Sequence, residues 1–95
     1  MSRPKRRIVR TPRFERGLEE VRSPSADSRF EEALEGFEHV VARIPEMGMA
    51  VPGQPGCRSR PFHTSHGSFL VIYTYDREKV VCLDVRRVPS STFGD

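Results

Sequence analysis

The chain contains no tryptophan, two cysteines and two tyrosines. Cys57 and Cys82 stand alone, so neither a dense disulfide scaffold nor a C-x-x-C redox or zinc pair is available. Both are expected to be reduced thiols, with Cys82 in the core. His63-x-x-His66 has no companion cysteine pair, and a structural zinc needs about four ligands. No metal and no cofactor are therefore predicted. No apolar run approaches the roughly 20 residues of a membrane-spanning helix, and the basic N-terminus leads into no apolar signal core. The expectation is a cytoplasmic protein with no membrane partner. Ninety-five residues supply one core and none for a second. The predicted layout is a flexible basic leader over 1–5, one domain over 6–89 and a polar tail over 90–95.

Acids are missing from the first 13 residues, which carry Arg3, Lys5, Arg6, Arg7, Arg10 and Arg13. Residues 14–46 reverse the balance, with nine acids against four arginines. The net charge of +3 conceals this segregation. It predicts a basic surface suited to phosphate and an acidic helical surface suited to solvent or a basic partner.

The strongest pattern is a β-hairpin over 68–88. Ser68 to Tyr75 is β-branched and aromatic on both alternating faces, which describes a central strand. Asp76-Arg77-Glu78 makes the turn, and Lys79 to Val88 returns with a buried first half and a charged end. The basic pair Arg86 and Arg87 leaves the sheet at its rim.

Before the hairpin, Arg6 to Thr11 predicts a short strand. Thr11 followed by Pro12 is a helix start, because threonine caps and proline loses only an N–H without a partner. Phe14, Leu18 and Val21 follow at helical spacing, and Gly17 within them costs the helix roughly 1 kcal/mol relative to alanine. Ser23-Pro24-Ser25 ends that helix. Phe30, Ala33, Leu34, Phe37, Val40, Val41 and Ile44 then define an amphipathic second helix. Its cap is Ser28, with Glu31 completing a capping box, or Ser25 or Asp27. Pro45 stops it, and Pro45 to Gly56 is predicted to be loop. Cys57 to His63 reads as a strand with Arg58, Arg60 and Phe62 on one face, and Pro61 confines it to an edge or bulge. Thr64 to Gly67 turns it into the central strand. The predicted order is β-α-α-β-β-β, an α+β fold.

Several features taken together resemble the RelE/ParE toxin superfamily of bacterial toxin–antitoxin systems. These are the basic strand leading through Thr-Pro-Arg-Phe into a helix, the Ala-Leu-Glu helix ending at Ile-Pro, and Gly48 with Val-Pro-Gly soon after. The Gly67 turn, Val-Ile-Tyr-Thr-Tyr, and Val-Val-Cys-Leu-Asp-Val-Arg-Arg complete the series. The resemblance implies a small antiparallel sheet packed on a two-helix hairpin, a cognate antitoxin protein as partner, and one of two activities. RelE-like members cut messenger RNA on the ribosome, whereas ParE-like members inhibit DNA gyrase without cutting nucleic acid. A third outcome is a diverged member that binds antitoxin with little activity.

For ribosome-dependent mRNA cleavage, the resemblance nominates Arg58 and Arg60 before the Gly turn and Arg86 and Arg87 on the last strand. No arginine occupies Phe69-Leu70-Val71, where many members carry one, and no tyrosine follows Val88. Attack of a ribose 2′-hydroxyl on the adjacent phosphate builds charge that fixed guanidinium groups stabilise. Arg60 and Arg87 are therefore the expected charge-stabilising pair, with Arg58 and Arg86 holding phosphate. Histidine changes protonation near neutral pH, so His63, or else His66, is the expected proton carrier. Tyr73 and Tyr75 share a strand face, which favours packing for at least one of them. Exposed arginines and turn histidines are also often merely solvated, so position in the fold has to decide.

Overall fold

The computed structural model describes residues 5–22, 28–64 and 67–88. Its strands are β1 (Arg7–Arg10), β2 (Met49–Ala50), β3 (Arg58–Thr64), β4 (Gly67–Tyr75) and β5 (Lys79–Val88). Two helices, α1 (Pro12–Val21) and α2 (Ser28–Arg43), lie between β1 and β2. The sheet order is β1-β5-β4-β3-β2. The α+β fold, with helices packed on a sheet, is as the sequence predicts.

Local chemistry explains the helix boundaries. The Thr11 hydroxyl accepts the Phe14 N–H at 3.1 Å and donates to the Cys82 carbonyl at 2.9 Å, so the cap also pins α1 to β5. The Arg22 N–H closes the other end on the Leu18 carbonyl. Along α2, Phe30, Leu34, Phe37 and Val41 are buried, as their spacing requires. Ile44 falls beyond the helix and is exposed. The caps considered at Ser25, Asp27 and Ser28, the break at Ser23 to Ser25, the residues of the leader before Lys5 and the C-terminal tail lie outside the described residues and side chains.

The β4–β5 hairpin has the expected partners: Ser68 faces Val88, Val71 faces Val85 and Tyr75 faces Val80. Asp76 Oδ1 accepts the Glu78 and Lys79 N–H groups at 2.7 and 2.9 Å. Those two bonds, in that order, hold the Asp76 carboxyl below its usual range. The turn's contribution is present above that range and fades as pH falls through the lowered value.

Three features differ from expectation. The sheet is mixed, because β1 runs parallel to β5; the intervening helices carry the chain away, and β1 aligns with the start of β5. The segment after Pro45 is not all loop. Pro45–Met47 forms a 3-10 turn, and β2 pairs with Arg58 and Ser59. The Tyr73 hydroxyl donates to the Pro45 carbonyl at 2.5 Å and Arg58 Nη1 donates to the Gly48 carbonyl at 2.7 Å, so two tertiary bonds order it. The third difference is a bulge at Leu83, where Ile72 faces Asp84 while Tyr73 faces Cys82. Strict alternation would bury Asp84 beside Val80 and Cys82, at a cost of several kcal/mol for an unpaired carboxylate. The bulge buries Val85 instead and turns Asp84 outward.

Aromatic residues fill the helix-facing side. Phe62 stacks on Phe69 at 5.2 Å, Phe30 meets both edge-on, and Phe37 reaches Tyr73. Gly17 has a packing reason absent from the helix propensity: a Cβ there would stand 2.9 Å from Val85 Cγ1 and 3.2 Å from the Val85 carbonyl. Gly17→Ala should therefore lose about 1 kcal/mol net, the middle of the range left when the helix regains about 1 kcal/mol against about 1–3 kcal/mol of overpacking. A urea melt checks this, and unchanged or raised stability would refute the close packing.

Candidate binding and catalytic face

Among the described residues the helices cover one face of the sheet and leave the other open, except where Gln54 and Gly56 reach over Ile72 and Thr74. Strand register assigns each nominated side chain to a face, since cross-strand partners point the same way. Arg58, Arg60 and Phe62 are opposite Tyr73, Val71 and Phe69, all helix-facing. Arg87 is opposite Phe69 and lies on that side too. His63 and Arg86 belong to the open face, where they flank Ser68 and Leu70. The expected set of Arg60, Arg87 and His63 is therefore divided between two faces.

Several nominated groups have structural work. Arg58 holds the Gly48 carbonyl. The Arg87 guanidinium lies 5.2 Å from the Phe69 ring centre and reaches toward the Val21 carbonyl at the end of α1. Gly67 makes room for it: its φ is +144°, and a Cβ there would stand 3.1 Å from Arg87 Nη1. Arg60 makes no hydrogen bond or ion pair among the described residues, although its charge, like that of Arg58, opposes the rise that burial imposes on the Tyr73 phenol. Tyr73 is a packing residue, while Tyr75 is half-buried beneath Arg6.

Among the described N-terminal cations, Arg6, Arg10 and Arg13 turn to separate partners rather than to one phosphate surface. Arg6 donates to the Asp76 carbonyl, and Arg10 makes a two-pronged bridge to Glu38 at 2.8 and 2.9 Å. That bridge holds the Arg10 guanidinium above its usual range, against the opposing effect of burial. Arg13 turns to Asp84 at 3.6 Å. Alternation along β1 and the start of α1 disperses these charges over the fold.

On the open face, Asp84 lies between Arg13 and Arg86, with Arg86 Nε 3.1 Å from Oδ2. Its other oxygen accepts the Val85 N–H. The cleft around it measures about 370 Å³ and has Ile72 and Leu83 as its apolar floor, with Thr11 and Gln54 at its walls. Sequence reasoning missed Arg13 and Asp84 as members of this face. An acid followed by two arginines within an otherwise apolar strand was the available signal. At the far corner, His63 Nδ1 shares a hydrogen bond with Ser68 Oγ at 2.8 Å, which limits the ring's rotation. His66 lies outside the described residues. Among the described residues no cluster of histidine, cysteine or carboxylate suits a metal ion, and no helix is long and apolar enough to cross a membrane.

Burial pushes the Cys82 thiol up from 9.0 to about 12, with the Glu38 charge adding to the effect and Arg10 opposing it. Iodoacetamide at pH 8 should modify the half-buried Cys57 and spare Cys82 until the protein unfolds. Because the folded value is raised, the neutral thiol's contribution to stability is complete below about 9 and is lost as pH climbs toward 12. Equal labelling rates for both thiols in the native protein would contradict this. Compared with known proteins, the chain matches no family model and no curated sequence.

Proposed function

We propose that the chain is the toxin of a RelE/ParE-like toxin–antitoxin pair, acting in the cytoplasm on messenger RNA at the ribosome. Two helices between the first strand and the rest of a small sheet, the order the resemblance implies apart from the added β2 and the parallel β1, support the family reading. The observation that carries the activity is the presence of His63 and Arg86 together on the uncovered face. They stand two strands and two residues apart, roughly 12 Å between Cα atoms; the His63 ring turns to Ser68 and the Arg86 guanidinium turns to Asp84, so a bound phosphate would have to draw Arg86 across.

In the proposed reaction, His63 takes the proton from a ribose 2′-hydroxyl while Arg86 stabilises charge on the phosphoryl oxygens. The 2′ oxygen bonds to phosphorus, the bond to the 5′ oxygen breaks, and solvent protonates that leaving oxygen. Ser68 orients the imidazole. Arg60 and Arg87 face away, so Arg86 takes over the charge-stabilising role nominated for that pair, and His63 keeps the role nominated for it.

One observation favours a second reading, inhibition of DNA gyrase by binding alone. Arg86 is already engaged by Asp84, and a cleavage site would have to draw it off. Induced expression should arrest growth under either activity, and co-expression of the neighbouring reading frame should restore it. Arrest without rescue would remove the antitoxin, and normal growth of cells shown to accumulate folded protein would remove the toxin reading.

A further inference from the structure

On the side away from His63, the turn over 51–57 reaches Thr74 of β4, and the cleft around Asp84 lies between Gln54 of that turn and Thr11 at the start of α1. The turn's own backbone fixes it. The Gln54 N–H donates to the Val51 carbonyl and the Cys57 N–H to the Gln54 carbonyl, both at 3.1 Å, while the Thr74 hydroxyl donates to the Gly56 carbonyl at 2.9 Å. Gln54 thus meets the cleft from a held backbone, and its side-chain amide has no hydrogen-bond partner among the described residues. A second cleft of about 570 Å³ shares Arg13, Asp84 and Arg86 with the first and extends along α1 to Arg16 and Glu20. Arg16 is exposed and makes no ion pair or hydrogen bond among the described residues.

Asp84 braces the cations between the two clefts. Its Oδ2 lies 3.6 Å from Arg13 Nη2 and 3.1 Å from Arg86 Nε, and its Oδ1 accepts the Val85 N–H. One carboxylate therefore draws together guanidinium groups from α1 and β5, and each of them keeps most of its N–H donors for a further acceptor. Both side chains remain largely exposed, at 70% and 63%. With Arg16, three cations outnumber the carboxylates Asp84 and Glu20.

The chemistry of the lining points to one class of ligand. Guanidinium forks match the oxygens of a phosphate. The aliphatic floor of Ile72 and Leu83 accepts the face of a heterocycle, and both volumes, about 370 and 570 Å³, fall in the usual range of small-ligand sites. The Gln54 amide carries one donor and one acceptor side by side, the pair that fits N7 and N6 of adenine.

We propose that the joined clefts bind a free nucleoside monophosphate, its phosphate on Arg13, Arg16 and Arg86 and its base over Ile72 and Leu83 beside Gln54. A terminal phosphate carries about two charges near neutral pH, against one for each diester within a strand, and so suits three arginines better. The inference goes beyond the cleavage reading and does not rest on it; Arg86 is the residue the two sites share.

The test is titration calorimetry of the full chain, without ribosomes, using adenosine 5′-monophosphate, adenosine, ribose 5-phosphate and inorganic phosphate. The nucleotide should bind about tenfold or more tighter than the other three, each of which lacks the base or the phosphate. Arg16→Ala should weaken it about tenfold or more, the scale of one charge-assisted hydrogen bond, and that loss should shrink as salt screens the pairing. Gln54→Ala should weaken it about threefold or more and leave ribose 5-phosphate unchanged. Arg77→Ala, in the exposed β4–β5 turn, removes a charge that lines neither cleft and should change nothing. Arg16 and Gln54 are exposed, so a retained thermal transition separates lost binding from lost folding. Absence of nucleotide binding overturns the inference, as does nucleotide affinity unmoved by Arg16→Ala and Gln54→Ala. Equal affinity for the nucleotide and inorganic phosphate means an adventitious ion only and overturns it too. An oligoribonucleotide without a terminal phosphate that binds more tightly than the nucleotide, and is lost with the same two variants, assigns the clefts to a strand and also overturns it. The toxin reading is tested separately, by growth arrest and message cleavage.

Discussion

Phe69→Ala should lower the free energy of unfolding by about 3–5 kcal/mol. The ring is buried, stacks on Phe62, receives the edge of Phe30 and carries the Arg87 guanidinium at 5.2 Å. Removing it opens a cavity where β3, β4 and α2 meet, and leaves Arg87 without the ring beneath it. Domains of this size typically hold about 5–15 kcal/mol in total, so the variant should melt well below the wild type. Leu70→Ala, one position along on the open face, should cost much less because its side chain is only half-buried. Denaturant titration of both variants checks the difference. Equal costs would mean that the two faces of β4 have been exchanged.

Gly48→Ala should cost about 3 kcal/mol, although it adds one methyl group. A Cβ at this position would lie 2.2 Å from Tyr73 Oη and 3.0 Å from the Ser59 carbonyl. The Ser59 carbonyl belongs to a strand backbone and gives little, so the turn would move away from β3. That motion breaks the Tyr73 bond to Pro45 and the Arg58 bond to Gly48. Overpacking contributes about 1–3 kcal/mol and a buried carbonyl left unpaired about 1–3 kcal/mol more. Tyr73→Phe alone should cost about 1–3 kcal/mol for the orphaned Pro45 carbonyl. The double variant should cost less than the sum, since removing the hydroxyl also removes the closest clash. Strict additivity would show that Gly48 and Tyr73 do not share this contact.

The hairpin and α2 were legible because their residues repeat a period that the fold preserves. Val71 and Tyr73 face Val85 and Cys82, and Phe30, Leu34, Phe37 and Val41 share one stripe. The β2 strand was not legible. Met49 and Ala50 carry no strand pattern, and their order comes from Arg58 and Tyr73, one from each of two strands further along the chain. The Leu83 bulge was equally hidden, because it is chosen by the cost of burying Asp84 over Val85.

The division of the nominated site could have been read from the strands. Arg58 and Arg60 share parity with Phe62, which any core would bury, while His63 has the opposite parity. Arg86 and Arg87 are neighbours in an extended strand and so diverge. Chain proximity had suggested a cluster, and alternation separates it. Pairing of Arg10 with Glu38 and Arg13 with Asp84 required the tertiary fold.

The most direct test of the central claim is translation of a defined message by purified ribosomes, with the cut sites mapped. Wild-type protein should cut within the ribosomal A site. His63→Ala and Arg86→Ala should each slow cleavage about a hundredfold or more, the scale of losing one preorganised transition-state contact. Arg60→Ala should cut at close to the wild-type rate. Intact messages accompanied by inhibition of gyrase supercoiling, or cleavage that survives His63→Ala and Arg86→Ala but fails with Arg60→Ala, would contradict the open-face account.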